Sequence, residues 1–337
     1  MSLAVPLVAF LDALGQFLRP STLAEVILNG LSKAALYAMI AGGLTLIFGL
    51  MGVLNFAHGS LTMFGAYLGG LVLVLAVGQA TGPLARVAYF FVAVVVVFGA
   101  LAGLGGALEV GLIRPLYDRP PIYQILLTFG VTLVLDEAAR IVVSFYGLQP
   151  ISDWQAALGT KPGPLSASYE FAGVSVSGLA LFEILVGAAT VAAVWGFLTR
   201  TRYGLVVRAG SEDSEMTEAL GIDVRRVFTT VFALGAGIAG VAGLLLAWDP
   251  VWGASVPLAS ETLLPAFVVV IIGGLGTFRG TVYAALLVGL VDASMTWWFV
   301  NAVDFSGLPQ MTIFLILVLV LIVKPQGLFG VAEVGGH

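Results

Sequence analysis

Side chains able to carry out chemistry are few in this sequence. The 337 residues include no cysteine and only two histidines, His58 and the final His337. Without cysteine there are no thiolate metal sites, disulfides or cysteine nucleophiles, and two histidines give a metal too few good ligands. A serine–histidine pair would have to use His58, and no acid close to it in the sequence is placed to orient its ring. The sequence therefore predicts no catalytic residue and no metal site.

A glycine-rich turn over residues 273–280 (GGLGTFRG) superficially resembles a phosphate-binding loop. It follows an apolar helix instead of a strand, and no Gly-Lys pair occurs anywhere in the chain. Both features are needed for the usual nucleotide-binding motif, so we expect no nucleotide site in this chain.

Charge is concentrated in one segment, residues 200–226 (RTRYGLVVRAGSEDSEMTEALGIDVRR). It holds ten of the 33 charged residues, which comprise 14 basic and 19 acidic side chains. Strongly apolar runs flank it, at 179–198 and 227–248. A membrane protein that collects its charge in one loop is expected to use that loop to contact a soluble partner.

Within this segment the sequence predicts a short helix from Ser214 to Leu220. Gly221 is placed to end it, and Asp213 or Ser211 to cap its start. Met216 shares one face with Leu220, while Glu215 and Glu218 spread along the polar flank. Such an apolar ridge suits insertion into a partner's groove. The alternative is a solvated loop whose apolar residues pack on the rest of the protein.

The elements that position these residues must lie in a membrane. The chain is 60% hydrophobic and 10% charged, with a mean hydropathy of +1.07, whereas soluble domains carry roughly 25% charged residues. Residues 1–20 are expected to form an interfacial helix or a short re-entrant segment, 21–330 an all-α transmembrane bundle, and 331–337 a tail. We expect about eight or nine spans, some broken or partial, near 24–50, 57–78, 87–112, 122–146, 179–199, 227–247, 261–276, 280–300 and 309–323.

Basic residues orient this bundle. Nine of them fall on one side of the predicted spans and three on the other, and positive residues favour the cytoplasmic side. The nine are Arg114, Arg119, Arg200, Arg202, Arg208, Arg225, Arg226, Arg279 and Lys324; the three are Arg19, Arg86 and Lys161. The N-terminus is then expected outside, the C-terminus inside, the loop 200–226 in the cytoplasm and the loop 147–178 outside.

Two polar residues lie where the first two spans meet. Polar groups buried in lipid must find partners, so they line a path or tie helices together. Asn55 and His58 are therefore expected either to line a translocation path or to form a structural turn. In that turn Asn55 would cap the helix and His58 would bond a backbone carbonyl.

Further ionisable groups lie inside the predicted spans. Asp136 and Arg140 are four residues apart and are predicted to form an intramembrane ion pair, with a substrate or proton site as the alternative. Glu183 and Asp292 lie nearer span ends or helix interfaces, and solvation is one expectation for them. Lys33 is expected to extend toward the outer headgroups.

Five motifs, in order along the chain, are similar to those of one family. They are Tyr37–Gly59, Arg114-Pro115-Leu116, Arg208–Gly221, Ile272-Gly273-Gly274-Leu275-Gly276 and Lys324-Pro325-Gln326-Gly327-Leu328-Phe329-Gly330. With these motifs the chain resembles, from about residue 28 to 330, the inner-membrane permease subunits of ABC importers in the branched-chain amino acid family.

This resemblance implies that residues 208–221 couple the permease to an ATPase. ABC permeases carry there a Glu-Ala-Ala motif with a glycine six residues after the glutamate. Here Glu215-Met216-Thr217 stands in that place, with Gly221 at the glycine. The implied coupling residues are Arg208, Asp213, Glu215, Met216, Glu218, Leu220 and Gly221.

The resemblance also implies partners and a place in the cell. Such permeases work as a pair, homodimeric or heterodimeric, in the bacterial inner membrane with two cytoplasmic ATPases and an external binding protein. ATP and magnesium would then be held by the ATPases, with no cofactor in this chain and no nucleic acid partner. The implied substrates are branched-chain amino acids, with urea, short amides or aromatic acids as alternatives.

Two other classes are weighed against this one. An ion-coupled secondary transporter would need intramembrane carboxylates that bind and release an ion, for which Asp136, Glu137 and Asp292 are the candidates. A membrane-embedded enzyme has no supporting signature. Transport that follows an ion gradient without ATP would favour the secondary transporter.

Overall fold

The computed structural model describes residues 4–77, 82–148, 163–171, 173–249, 252–302 and 309–330, and every structural statement below refers to these residues. They form a helical bundle with one small β-hairpin. The helices are α1 (Ala4–Phe17), α2 (Pro20–Met51), α3 (His58–Val77), α4 (Pro83–Leu108), α5 (Pro121–Phe145), α6 (Gly163–Ser166), α7 (Gly178–Arg200), α8 (Arg202–Glu212), α9 (Ser214–Ala219), α10 (Val224–Trp248), α11 (Leu258–Gly273), α12 (Phe278–Asn301) and α13 (Pro309–Val323).

Each of the nine predicted spans corresponds to one helix of this bundle. Within the described residues, six helical segments are long and apolar enough to cross a membrane: those of α2, α3, α4 with its continuation, α7, α10 and α12. The helices α11 and α13 are apolar but shorter. The remaining helix, α5, has 25 residues and carries three charged side chains in its second half.

The 32-residue helix α2 lies at the centre, and α7, α10, α11 and α12 pack around it. Small residues allow the closest helix approaches. A Cβ atom added at Gly243 of α10 would lie 1.9 Å from the carbonyl oxygen of Thr62 in α3. One added at Gly65 of α3 would lie 2.2 Å from the carbonyl oxygen of Gly240. Without glycine at these positions α3 and α10 would have to separate.

A non-helical segment, residues 52–57, runs back into the bundle between α2 and α3. It starts at Gly52, whose φ of 66° ends α2. Val53, Asn55 and Ala57 are buried, and the His58 ring contacts the backbone of Ile40, near the middle of α2. The helix α3 therefore begins deep in the bundle. Non-helical backbone is tolerated at such depth only where protein or a cavity covers it.

The predicted outer loop contains structure that the all-α prediction missed. Strands β1 (Ser168–Phe171) and β2 (Val174–Ser177) pair antiparallel, with Ser168 opposite Ser177. Gly173, with φ of 79°, lies in the turn between them. The Ser175 N–H donates to Glu25 of α2, which fixes the hairpin against the bundle. Residues 149–162 of the predicted loop lie outside the described residues.

Several contacts gather the elements that carry the nine basic residues at one end of the bundle. The Leu328 N–H donates to the Ile272 carbonyl over 2.7 Å, which brings the C-terminal segment to the α11–α12 turn. The Arg114 guanidinium reaches Thr229 at the start of α10. Arg208 and Arg279 line one cavity with the end of α2. The segment 200–226 lies at this same end.

Candidate functional site

The charged segment folds into two short helices, α8 and α9, whose starts are capped as the sequence predicts. The Met216 N–H donates to Asp213 Oδ1 over 2.8 Å, so Asp213 caps α9. Gly221 follows α9 with φ of 81°. Among the described residues, no group other than its chain neighbours lies within 4 Å of the position where its Cβ would be, so backbone conformation, and not space, is what favours glycine there.

Two large apolar side chains, Met216 of α9 and Leu220 directly after it, point away from the bundle. Met216 is 60% exposed and Leu220 75% exposed, whereas Thr217 is buried and donates its hydroxyl to the Asp213 carbonyl. The alternative, a loop whose apolar residues pack on the bundle, does not hold for Met216 and Leu220, although Val207 and Val224 of the same segment are buried. Glu218 and Arg208 are exposed nearby, and the Glu215 side chain lies outside the description. The short helix α9 therefore has one face, at Thr217, against the protein. Its other face carries the Met216/Leu220 ridge, which is exposed in the described residues.

The buried turn before α3 joins neighbouring helices through hydrogen bonds. Asn55 Oδ1 accepts the Ala57 N–H over 3.1 Å. His58 Nε2 lies 2.9 Å from the Ile40 carbonyl oxygen, which can only accept, so this nitrogen carries the proton. Both side chains are fully buried. The segment is joined to α5 as well, since the Thr128 hydroxyl donates to the Leu54 carbonyl.

The ion pair predicted between Asp136 and Arg140 is wrong. Arg140 Nε instead lies 3.3 Å from Glu137 Oε2, and Asp136 accepts a 2.6 Å hydrogen bond from Ser60 of α3. Because Asp136 faces α3, its carboxylate is engaged there and Arg140 pairs with the acid three residues before it. Glu137 and Arg140 are 60% and 67% exposed, so this pair lies on the outer surface of α5.

A second polar cluster joins α2, α7 and α12 at the end of the bundle opposite the charged segment. Lys33 Nζ lies 2.9 Å from Asp292 Oδ2 and donates to Thr296. Tyr37 donates to the same Asp292 oxygen over 3.1 Å, and Ser32 donates to Glu183. Both carboxylates are buried. Both acids therefore lie at helix interfaces, and solvation does not hold for them. The Lys33 side chain is about one-third exposed and pairs with Asp292.

Comparison with known proteins identifies the family of this chain. The family model described as "Branched-chain amino acid transport system / permease component" matches residues 26–323. The chain belongs to this family. It is 29% identical over 318 residues to the high-affinity branched-chain amino acid transport system permease protein BraD of Pseudomonas aeruginosa, covering 92% of this chain and 96% of that one.

Two further relatives are similar to this chain at lower sequence identity. The corresponding permease protein LivH of Escherichia coli K12 is 27% identical over 311 residues, covering 91% of this chain and 95% of its own length. The ribose import permease protein RbsC of Haemophilus influenzae is 23% identical over 299 residues, covering 87% and 83%. The chain is thus a multi-pass inner-membrane permease subunit of an ABC transporter, not an enzyme, and its family carries no cofactor in the permease chain.

The permease also contains a buried network that the sequence did not indicate. Glu109 follows α4 in a π-helical turn (Glu109–Ile113), and a 3₁₀ turn (Arg114–Leu116) completes the segment. Arg114 donates twice to the Glu109 carboxylate, over 3.0 and 3.2 Å, and Thr229 of α10 donates over 2.7 Å. Tyr117 also donates to this carboxylate. Burial, and then this hydrogen bond, raise the pKa of Tyr117.

This network depends on the π turn. Residues five apart do not share a face of an ordinary α-helix, so Glu109 and Arg114 carry no pairing signal in the sequence. In the π turn the Arg114 N–H bonds the Glu109 carbonyl, which aligns the two side chains. The network fixes the end of α4 to the start of α10, next to the charged segment.

Proposed function

We propose that this permease imports branched-chain amino acids, or a related small polar solute, and that α9 is the surface on which a cytoplasmic ATPase docks. The exposed Met216/Leu220 ridge is the observation that carries this proposal. A ridge of two apolar side chains on a capped helix matches the way amphipathic helices insert into grooves. Glu218 and Arg208 would flank it and set its register.

The orientation of the permease in the membrane is proposed from the distribution of its basic residues. With the nine basic residues gathered at one end, that end is cytoplasmic by the positive-inside tendency. The N-terminus then lies outside and the C-terminus inside. An external binding protein would approach the opposite end, where the hairpin β1–β2 and the Lys33–Asp292 cluster lie.

The path for the solute would run along α5, between this permease and a second copy or a related subunit. Glu137 and Arg140 are exposed past the middle of α5, and charged groups within a membrane rarely face lipid. They would therefore face water or a partner subunit. Behind them, the Asp136–Ser60 bond and the tied turn at Asn55 and His58 would form the wall of this path.

The substrate proposal rests on the relatives, whose names specify branched-chain amino acids. The ribose permease among them makes a sugar the second candidate. Ion coupling fits the described geometry less well. Asp292 is held by Lys33 and Tyr37, and Asp136 by Ser60, so neither carboxylate is placed to release an ion freely.

The test is transport by the reconstituted complex. Permease, partner permease, ATPase and binding protein are placed in vesicles, and labelled leucine, ribose and urea are compared. We expect leucine uptake that requires ATP and the binding protein. Uptake that follows a proton or sodium gradient without the ATPase would overturn the transporter class, whereas ATP-driven uptake of ribose alone would overturn only the substrate.

A further inference from the structure

At the end of the bundle that carries the charged segment, a cavity of about 440 Å³ opens between α2, α7, α8 and α12. The charged segment itself forms part of the cavity wall through Val207 and Arg208 of α8. Phe329 of the C-terminal segment closes another side. The volume falls in the roughly 300–1,000 Å³ range of small-molecule sites.

The cavity lining is cationic. Arg208 and Arg279 both line it, and the other described lining residues include no aspartate or glutamate. The Arg279 guanidinium carbon lies 4.5 Å from the centroid of the Trp195 ring, so a cation–π contact holds this charge at the cavity. Planar guanidinium groups pair well with phosphate oxygens, so two of them at one cavity favour a phosphate-bearing anion.

An apolar track leads away from the charged rim. Arg279, Tyr283 and Leu287 follow one another at four-residue spacing, so they lie on one face of α12. Tyr283 and Leu287 are exposed, and the Tyr283 ring stacks on Phe329 with centroids 5.2 Å apart. On a membrane-spanning helix, an exposed apolar stripe faces the acyl chains of the bilayer.

We propose that this cavity binds the phosphate group of an anionic phospholipid from the adjoining leaflet, with an acyl chain along the Tyr283/Leu287 track. Free phosphate would share the guanidinium contacts but would leave the apolar track unused. The bound headgroup would bridge α8 to α2, α7 and α12. Given the docking role proposed for α9, which follows α8 in the chain, occupancy would stiffen the connection through which the ATPase moves the bundle.

The site is tested on the isolated permease, without any ATPase. Native mass spectrometry in detergent, with added phosphatidylglycerol or phosphatidylcholine, counts the bound lipids. We expect one retained phosphatidylglycerol and no retained phosphatidylcholine. Arg279→Gln should weaken retention about fivefold, the loss expected for one basic residue at a lipid surface. Arg279→Lys should keep most of it. Arg119→Gln, an exposed arginine outside the cavity, is the matched control and should match wild type.

Brominated phosphatidylglycerol gives a second readout, which leaves Arg208 and Arg279 unchanged. Bromine quenches nearby tryptophan, and Trp195→Phe should remove the quenched fraction of the emission. Equal retention of both lipids, or equal retention by Arg279→Gln and wild type, would overturn the site. Displacement of phosphatidylglycerol by millimolar inorganic phosphate would identify free phosphate as the ligand and overturn the lipid assignment. Because these measurements need no ATPase, their failure leaves the docking role of α9 untouched.

Discussion

Lys33 of α2 and Asp292 of α12 form an ion pair with 2.9 Å between Nζ and Oδ2, and Lys33 also lines a cavity of about 430 Å³. The aspartate is buried, and the lysine side chain is about one-third exposed. Tyr37 and Thr296 complete the contacts of the pair, which ties α12 to the central helix.

Breaking this pair should destabilise the bundle. Asp292→Asn leaves Lys33 without its counter-charge, and we expect a loss of about 2 kcal/mol, between the values of surface and buried pairs. The double change Lys33→Met with Asp292→Asn should be milder. Thermal unfolding in detergent, followed by size-exclusion chromatography, measures both. Glu137→Gln, which breaks an exposed pair, is the control and should change stability little. A double variant less stable than Asp292→Asn would contradict this account.

The Glu109 network predicts a pH dependence. Because the pKa of Tyr117 is raised in the folded permease, its stabilising contribution is complete below the usual tyrosine pKa near 10. That contribution is lost as pH rises further toward the folded-state pKa. The free energy of unfolding of wild type should therefore exceed that of Tyr117→Phe by an amount that is constant from pH 7 to 9. This difference should shrink above about pH 10. A difference that grows with pH would contradict the buried hydrogen bond.

Topology can be read with single cysteines, because the native chain has none. Phe171→Cys in β1 and Ala219→Cys in α9 place thiols at exposed positions at opposite ends. In spheroplasts an impermeant maleimide should label Phe171→Cys at once and Ala219→Cys only after permeabilisation. The reverse pattern would invert the proposed orientation.

Substitutions at Gly221 distinguish backbone strain from loss of side-chain contacts as a cause of weaker ATPase binding. Its φ of 81° is a region that β-branched residues rarely enter, whereas asparagine enters it more readily. Gly221→Val should distort the end of α9 at a cost of about 1–2 kcal/mol and weaken ATPase binding. Gly221→Asn should keep most of the binding. Equal binding by both variants would show that the left-handed turn is not needed for docking.

Local features of the fold could be predicted from the sequence, and cross-helix features could not. Asp213 and Gly221 act through neighbours within a few residues, so cap and turn preferences identified them. The partners of Asp292 and Glu183 come from helices far away in the chain, and their choice depends on how α2, α7 and α12 pack. Spacing alone pairs Asp136 with Arg140, because it carries no information about which face of α5 meets α3.

Two other features needed the structure for a different reason. The pairing of Glu109 with Arg114 depends on a π turn, which has no clear sequence signal. The hairpin β1–β2 lies in a segment rich in serine and glycine, where the alternation of Val174 and Val176 is too short to stand out. Its position depends on a backbone bond to Glu25.

Co-purification of the ATPase with Leu220→Asp permease tests the docking role of α9 most directly. Leu220 is 75% exposed, so an aspartate there should leave the fold intact while placing a charge in the partner's apolar groove. A groove anchor of this kind contributes on the order of 2 kcal/mol or more, enough for a thirtyfold loss of affinity. Leu275→Asp, an exposed leucine in the α11–α12 turn at the same end, is the control. The account predicts a monodisperse Leu220→Asp permease without bound ATPase and a Leu275→Asp permease that retains it. Normal ATPase retention and ATP-driven uptake by Leu220→Asp would contradict it.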